Sequence, residues 1–91
     1  MSYNLLITER YTKKLIKFLK KHPNVTQRYI KTIEILEQNP HHPSLRLHKL
    51  QGKLYEYHSI SINIEYRIII DFIIKENEII PIDIGTHDEV Y

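Results

Sequence analysis

The 91-residue chain has no cysteine, no tryptophan, one methionine and only two glycines. Without thiols there is neither a disulfide framework nor a thiolate zinc site, so packing alone must hold the fold. The scarcity of glycine and a hydrophobic content of 42% exclude the composition of a disordered tail. No apolar run approaches the roughly 20 residues of a membrane-spanning helix. The longest aliphatic block, Ile68-Ile69-Ile70, runs straight into Asp71. The opening MSYNLLITERY lacks the basic-then-apolar pattern of a secretory signal. The expectation is a soluble, cytoplasmic protein forming one domain over residues 1–91, with a single modest core.

What is present is unevenly placed charge. The formal net charge is only +2, yet Lys13, Lys14, Lys17, Lys20 and Lys21 crowd the first third, followed by Arg28 and Lys31. Acidic residues concentrate toward the end. A lysine-rich segment is either a solvated helix face or a surface for a polyanion such as RNA.

Periodicity divides the chain into helical and extended halves. Tyr3 to Ile7 reads as a first strand. Thr8 is placed to cap a helix in which Tyr11, Leu15, Phe18 and Leu19 recur at helical spacing, until His22-Pro23 ends it. Asn24 and Gln27 have capping-box spacing for a second helix, with Tyr29, Ile30, Ile33 and Leu36 as its stripe and Asn39-Pro40 as its stop. Pro40 to Gln51 is irregular, and Gly52 marks a turn. His41 and His42 have no further ligand at helical spacing and do not read as a metal site.

Beyond Gly52 the period falls to two. Ile60 and Ile62 alternate with Ser59 and Ser61, Tyr66 to Ile74 returns, and Ile80, Ile82 and Ile84 alternate with Pro81 and Asp83. Tight turns near Asn63 and Asn77 make this an antiparallel meander. Pro81 cannot donate to a ladder, so its amide side is expected at solvent or an interruption. Ile68, Ile70, Phe72 and Ile74 share a parity and should meet the helices together with Ile80, Ile82 and Ile84. The fold class is α+β, β-α-α followed by the meander, with a helical hairpin on one face of a small sheet. The other face would carry Arg67, Ile69, Asp71 and Asp83, with Gly85 and His87 just beyond, uncovered by helices.

Three patterns in this order resemble the RelE/ParE superfamily of bacterial type II toxins, nearest its YafQ-like branch. His48-Lys49-Leu50-Gln51-Gly52 resembles the H-x-L-x-G element, and Tyr66-Arg67-Ile68-Ile69-Ile70 resembles the aromatic-Arg-aliphatic strand. Gly85-Thr86-His87, with Tyr91 four residues on, resembles the family's ending. The resemblance implies a RelE-like fold and a ribosome-dependent messenger-RNA endonuclease needing no cofactor or metal. The implied partners are a cognate antitoxin, the ribosome and mRNA, with no membrane and no small-molecule ligand. It points to His87 and His48 as acid/base candidates, Arg67 as a phosphate contact and Tyr91 as a base-stacking ring. Glu65, Tyr66 and Asp83 are supporting positions. Lys13, Lys14, Lys17, Lys20 and Lys21 would meet ribosomal RNA.

Those residue types suit the chemistry. RNA carries its own nucleophile, so a nuclease must move protons and stabilise the phosphorane. Histidine, with an ordinary pKa of about 6.5, serves the proton steps, and a permanently charged guanidinium fork serves the phosphate. His87 is the expected general acid, with His48 or Glu65 as base. The chain departs from the family in having Ser61 where a histidine is usual, Glu65-Tyr66 for Asp-Trp, and Asp83 for an arginine. Asp83 would repel a phosphate or pair with Arg67 and weaken activity; alternatively Arg67, on the adjacent strand, supplies the missing cation. The alternative readings keep the fold without catalysis, as a ParE-like gyrase inhibitor or an RNA- or protein-binding module.

Overall fold

In the computed structural model, residues 2–73 and 76–90 are described; Ile74 and Tyr91, both used above, lie outside them. Strand β1 spans Asn4–Leu5, and the Thr8 hydroxyl caps helix α1, Glu9–Lys21, by accepting from the Tyr11 amide at 3.1 Å. Helix α2 covers Thr26–Gln38. The expected Asn24–Gln27 capping box does not form. Pro23 instead opens a 3-10 turn, Pro23–Val25, that carries α1 directly into α2. Its amides are satisfied inside the turn, as Val25 N–H donates to the His22 carbonyl, and no side-chain cap is required.

Strands β2, His48–Lys49, β3, His58–Ser61, β4, Tyr66–Ile73, and β5, Glu78–Thr86, complete a sheet ordered β1-β5-β4-β3-β2. The meander β2 to β5 is antiparallel throughout, while β1 joins β5 in parallel. A four-residue helix, α3, spans His87–Val90.

The helical hairpin packs on one face through Tyr11, Phe18, Val25, Tyr29 and Leu36 against Ile60, Ile62, Ile68, Ile70, Phe72, Ile79 and Ile84. Inside this core the phenols of Tyr11 and Tyr29 bond to each other at 3.0 Å, tying α1 to α2. Burial pushes both phenol pKa values up. The hairpin is also tied to the sheet, since Arg28 Nε donates to the Ile62 carbonyl at 2.9 Å and the Tyr66 hydroxyl meets His22 Nδ1 at 3.1 Å.

Two expectations about the sheet faces need correction. Ile69 pairs with Asp83, but Ile70 pairs with Pro81, so Ile82 is an extra residue in β5. This bulge reverses the parity of the strand. Ile79 and Pro81 point into the main core before it and Ile84 after it. Ile82 packs on the opposite face, and Ile80, cross-strand from Asp71, is not part of the main core. Pro81 sits at the interruption, where its missing amide costs the ladder least.

The face opposite the helices is also not bare. Leu50, Ile69 and Val90 form a second small core, flanked by Leu54, Tyr57 and Ile82. The segment after β2 and helix α3 fold over the sheet from two sides. Gly52, at φ +69°, supplies the left-handed turn that starts the first of these covers.

Replacing Tyr11 by Phe leaves the Tyr29 hydroxyl buried without its partner and should destabilise the protein by about 1–3 kcal/mol. Urea unfolding checks this, and a change within experimental error contradicts a buried phenol pair.

Candidate functional site

The chain's ending is built by a reciprocal cap. Thr86 Oγ1 accepts from the Glu89 amide at 3.2 Å, and the Glu89 carboxylate accepts from the Thr86 amide at 2.9 Å. This T-x-x-E capping box starts α3 and places His87 at its first position. Val90 then drops into the second core. Gly85 permits the fold-back, since a Cβ there would lie 3.2 Å from Glu89 Cβ and 3.3 Å from Val90 Cγ1. The hydrogen bonds from Thr86, with smaller help from Lys21 and His22, hold the Glu89 carboxyl below the usual carboxylate range.

Arg67 lies in β4 directly opposite Gly85 on one side and Ser61 on the other. Its Nη1 donates to Ser61 Oγ at 3.0 Å, and its buried Nε has no protein partner among the described residues. His87 follows two residues after Gly85, so Arg67 and the His87-bearing turn are strand neighbours. His87 is exposed, with Nδ1 3.6 Å from Asp88 Oδ1.

His48 is more distant. It opposes Ser59 in β3, which opposes Ile69 in β4, two residues from Arg67. Ladder spacing puts His48 roughly 12 Å from Arg67, with β3 and β4 between it and β5. Its Nδ1 contacts the Arg46 carbonyl at 3.0 Å. A carbonyl only accepts, so Nδ1 carries the hydrogen, and Nε2 of the neutral ring holds the lone pair.

Asp83 does not pair with Arg67. Beside the bulge it meets Lys14 of α1, at 3.4 Å from Nζ, and its Oδ1 also accepts from the Ile84 amide at 2.9 Å. Arg67 therefore has no carboxylate partner among the described residues. Tyr66 points into the helix side, edge-on to Phe18 with ring centroids 5.1 Å apart. Glu65 is exposed in the β3–β4 hairpin, where Asn63 Oδ1 accepts from the Glu65 and Tyr66 amides at 2.9 Å. His58 is a packing residue 5.7 Å from the Phe72 ring; burial first, then Lys49 and His48, hold its imidazole pKa down.

The lysines of α1 divide. Lys14, Lys17 and Lys21 line a groove of about 280 Å³ between α1, β5 and α3, together with Phe18, His22, Ile84 and the carboxylates of Asp83 and Glu89. Lys13 pairs with Glu9 at 3.7 Å, and Lys13 and Lys20 are exposed outside that groove. Among the described residues, no group of three or more His, Asp or Glu is placed to hold a metal ion, and no helix is long and apolar enough to cross a membrane. His42 instead accepts from Ser44 N–H at 3.1 Å, capping the 3-10 turn Pro43–Leu45.

The sequence reading missed Thr86 and Glu89, although T-x-x-E was there to be found. It also passed over Arg46, whose backbone lies in the left-handed region at φ 50°.

No protein-family model matches the chain, and no curated protein sequence does. Solved structures do match. YafQ from Escherichia coli strain BL21(DE3) superposes with a TM-score of 0.79 at 15% identity over 98% of both chains. The toxin in the E. coli DinJ-YafQ toxin-antitoxin complex gives 0.77 at 17% identity, covering 100% of this chain and 99% of the other. The conserved hypothetical protein HP0894 from Helicobacter pylori gives 0.74 at 24% identity over 100% of both. The protein shares the fold of these solved structures, YafQ among them.

Lowering the pH should release α3. Glu89's depressed pKa means its contribution is complete above the pKa of an unfolded glutamate and disappears as pH falls through the lower folded value. Amide protection factors at residues 86–89, taken relative to the intrinsic exchange rate at each pH, should fall in acid in the wild type and already be low near neutrality in Glu89→Ala. Equal protection in both proteins would contradict the cap.

Proposed function

We propose that the protein is the toxin of a type II toxin-antitoxin pair and acts in the cytoplasm as a ribosome-dependent messenger-RNA endonuclease. The observation that supports this most is Arg67, unpaired by any carboxylate among the described residues, adjoining the His87 turn on a sheet with the toxin fold. A cognate antitoxin is part of the reading, in parallel with the complex formed by E. coli YafQ.

In the reaction, the RNA 2′-oxygen attacks the adjacent phosphorus while a base takes its proton. The bond to the 5′-oxygen breaks, and an acid protonates that oxygen. A 2′,3′-cyclic phosphate and a 5′-hydroxyl result. Arg67 would stabilise the phosphorane oxygens and His87 would be the acid. His48 Nε2, held in its accepting tautomer by the Arg46 carbonyl, or Glu65 would be the base. Tyr91 is assigned to base stacking, an interaction of roughly 1–3 kcal/mol. Lys14, Lys17 and Lys21, with Lys13 and Lys20 beside them, would face ribosomal RNA.

The distance from His48 to the His87 turn favours a second reading, in which the fold acts by binding alone, as a gyrase inhibitor or a recognition module. Induction of the wild-type protein should arrest growth and yield cut messages in translating extracts. Arg67→Ala or His87→Ala should reduce cleavage by about a hundredfold or more. Undiminished cleavage in both variants would remove this mechanism, and gyrase-linked DNA breaks with intact messages would establish the alternative.

A further inference from the structure

The α1 groove is basic, but its lysines share it with Asp83 and Glu89. A second pocket has no carboxylate in its lining. It lies where β3 runs past the end of β2, holds about 260 Å³, and is lined by Arg28, Ser44, Arg46, Ser61 and Asn63, with Ile62 and Ile64 at its margin. We infer that this pocket is a phosphate-binding site, built on the guanidinium groups of Arg28 and Arg46 and adjoining Arg67 through Ser61.

The donors come from three distant segments and are individually fixed. Arg28 spends its Nε–H on the Ile62 carbonyl, which locks the fork at the pocket wall and leaves its terminal nitrogens without a protein partner among the described residues. Arg46 ends the Pro43–Leu45 turn with a left-handed backbone, φ 50° and ψ 44°, a conformation uncommon for a residue with a side chain. It has no ion pair among the described residues. Ser61 Oγ accepts from Arg67 Nη1, so its own hydrogen is left to donate elsewhere. Two guanidinium forks and the Ser61 hydroxyl, with no anion among the described lining residues, match the oxygens of a phosphate group, which accept several charge-assisted hydrogen bonds at once; the Ser44 hydroxyl is already bonded to His42 Nδ1 at 2.9 Å.

The phosphate can come from an RNA backbone or from the free ion, and one titration distinguishes them. Isotope-labelled full-length protein is titrated at constant ionic strength with sodium phosphate, with a non-cleavable 2′-O-methyl RNA tetranucleotide lacking terminal phosphates, and with sodium chloride alone. Saturable shifts are expected at Ser44, Arg46, Ser61, Asn63 and the Arg28 Nε–H. Saturation at lower concentration by the oligonucleotide identifies a backbone site, whereas saturation by phosphate alone identifies a free-ion site.

Exposed Arg46 makes no side-chain bond among the described residues, so Arg46→Gln should stay folded while weakening binding about tenfold or more, with Arg46→Lys intermediate. Shifts reproduced by chloride, confined to the α1 lysines, or unchanged in Arg46→Gln would overturn the site. Because the readout is binding, it stands or falls independently of RNA cleavage: a chain that cuts nothing must still bind phosphate here.

Discussion

Ile69 is the residue on which the half of the molecule carrying the candidate site is assembled. It lies in the central strand β4, on the face away from the helices, and is the most buried member of the small cluster with Leu50 and Val90. Each of those partners brings a polar neighbour with it. Leu50 anchors the segment that follows edge strand β2, two residues after His48. Val90 draws α3, and so His87, to the side of Arg67. Burying a Val or Leu side chain contributes about 1.5–3 kcal/mol, enough to order a four-residue turn that has little helical stability of its own.

Charge compensation separates two basic surfaces that composition alone would merge. Asp83, carried by the bulged strand toward α1, offsets Lys14, and Glu89 stands in the same groove. Among the described residues, that leaves Arg67 on the other face without a competing carboxylate and the arginines at the β3 edge without an ion pair, and Ser61 bridges the two regions by accepting from Arg67 while lining the pocket.

The order of elements was legible because each local signal agreed with the global fold. Thr8 caps α1, the Tyr11–Phe18 spacing packs it, and Asn63 closes the hairpin before β4. The sheet faces were not legible in β5. Ile79, Ile80, Ile82 and Ile84 place branched residues on both parities, so alternation could not show that Ile82 was an inserted residue. Ile84 faces the helices as its parity required, but Ile80 and Ile82 do not, and Asp83 is turned to Lys14. The Thr86–Glu89 box was readable from spacing. The arginine pocket was not, because Arg28, Arg46 and Ser61 meet only after the α2, β2 and β3 segments have been placed.

The most direct measurement is a methyl-resolved nuclear Overhauser spectrum of the free protein. Cross-peaks from the Val90 methyl groups to Ile69, with native-like shifts for residues 86–90, are predicted if the ending docks as described. Random-coil shifts for these residues and no contact from Val90 to the sheet would contradict the account, because nothing would then hold His87 beside Arg67.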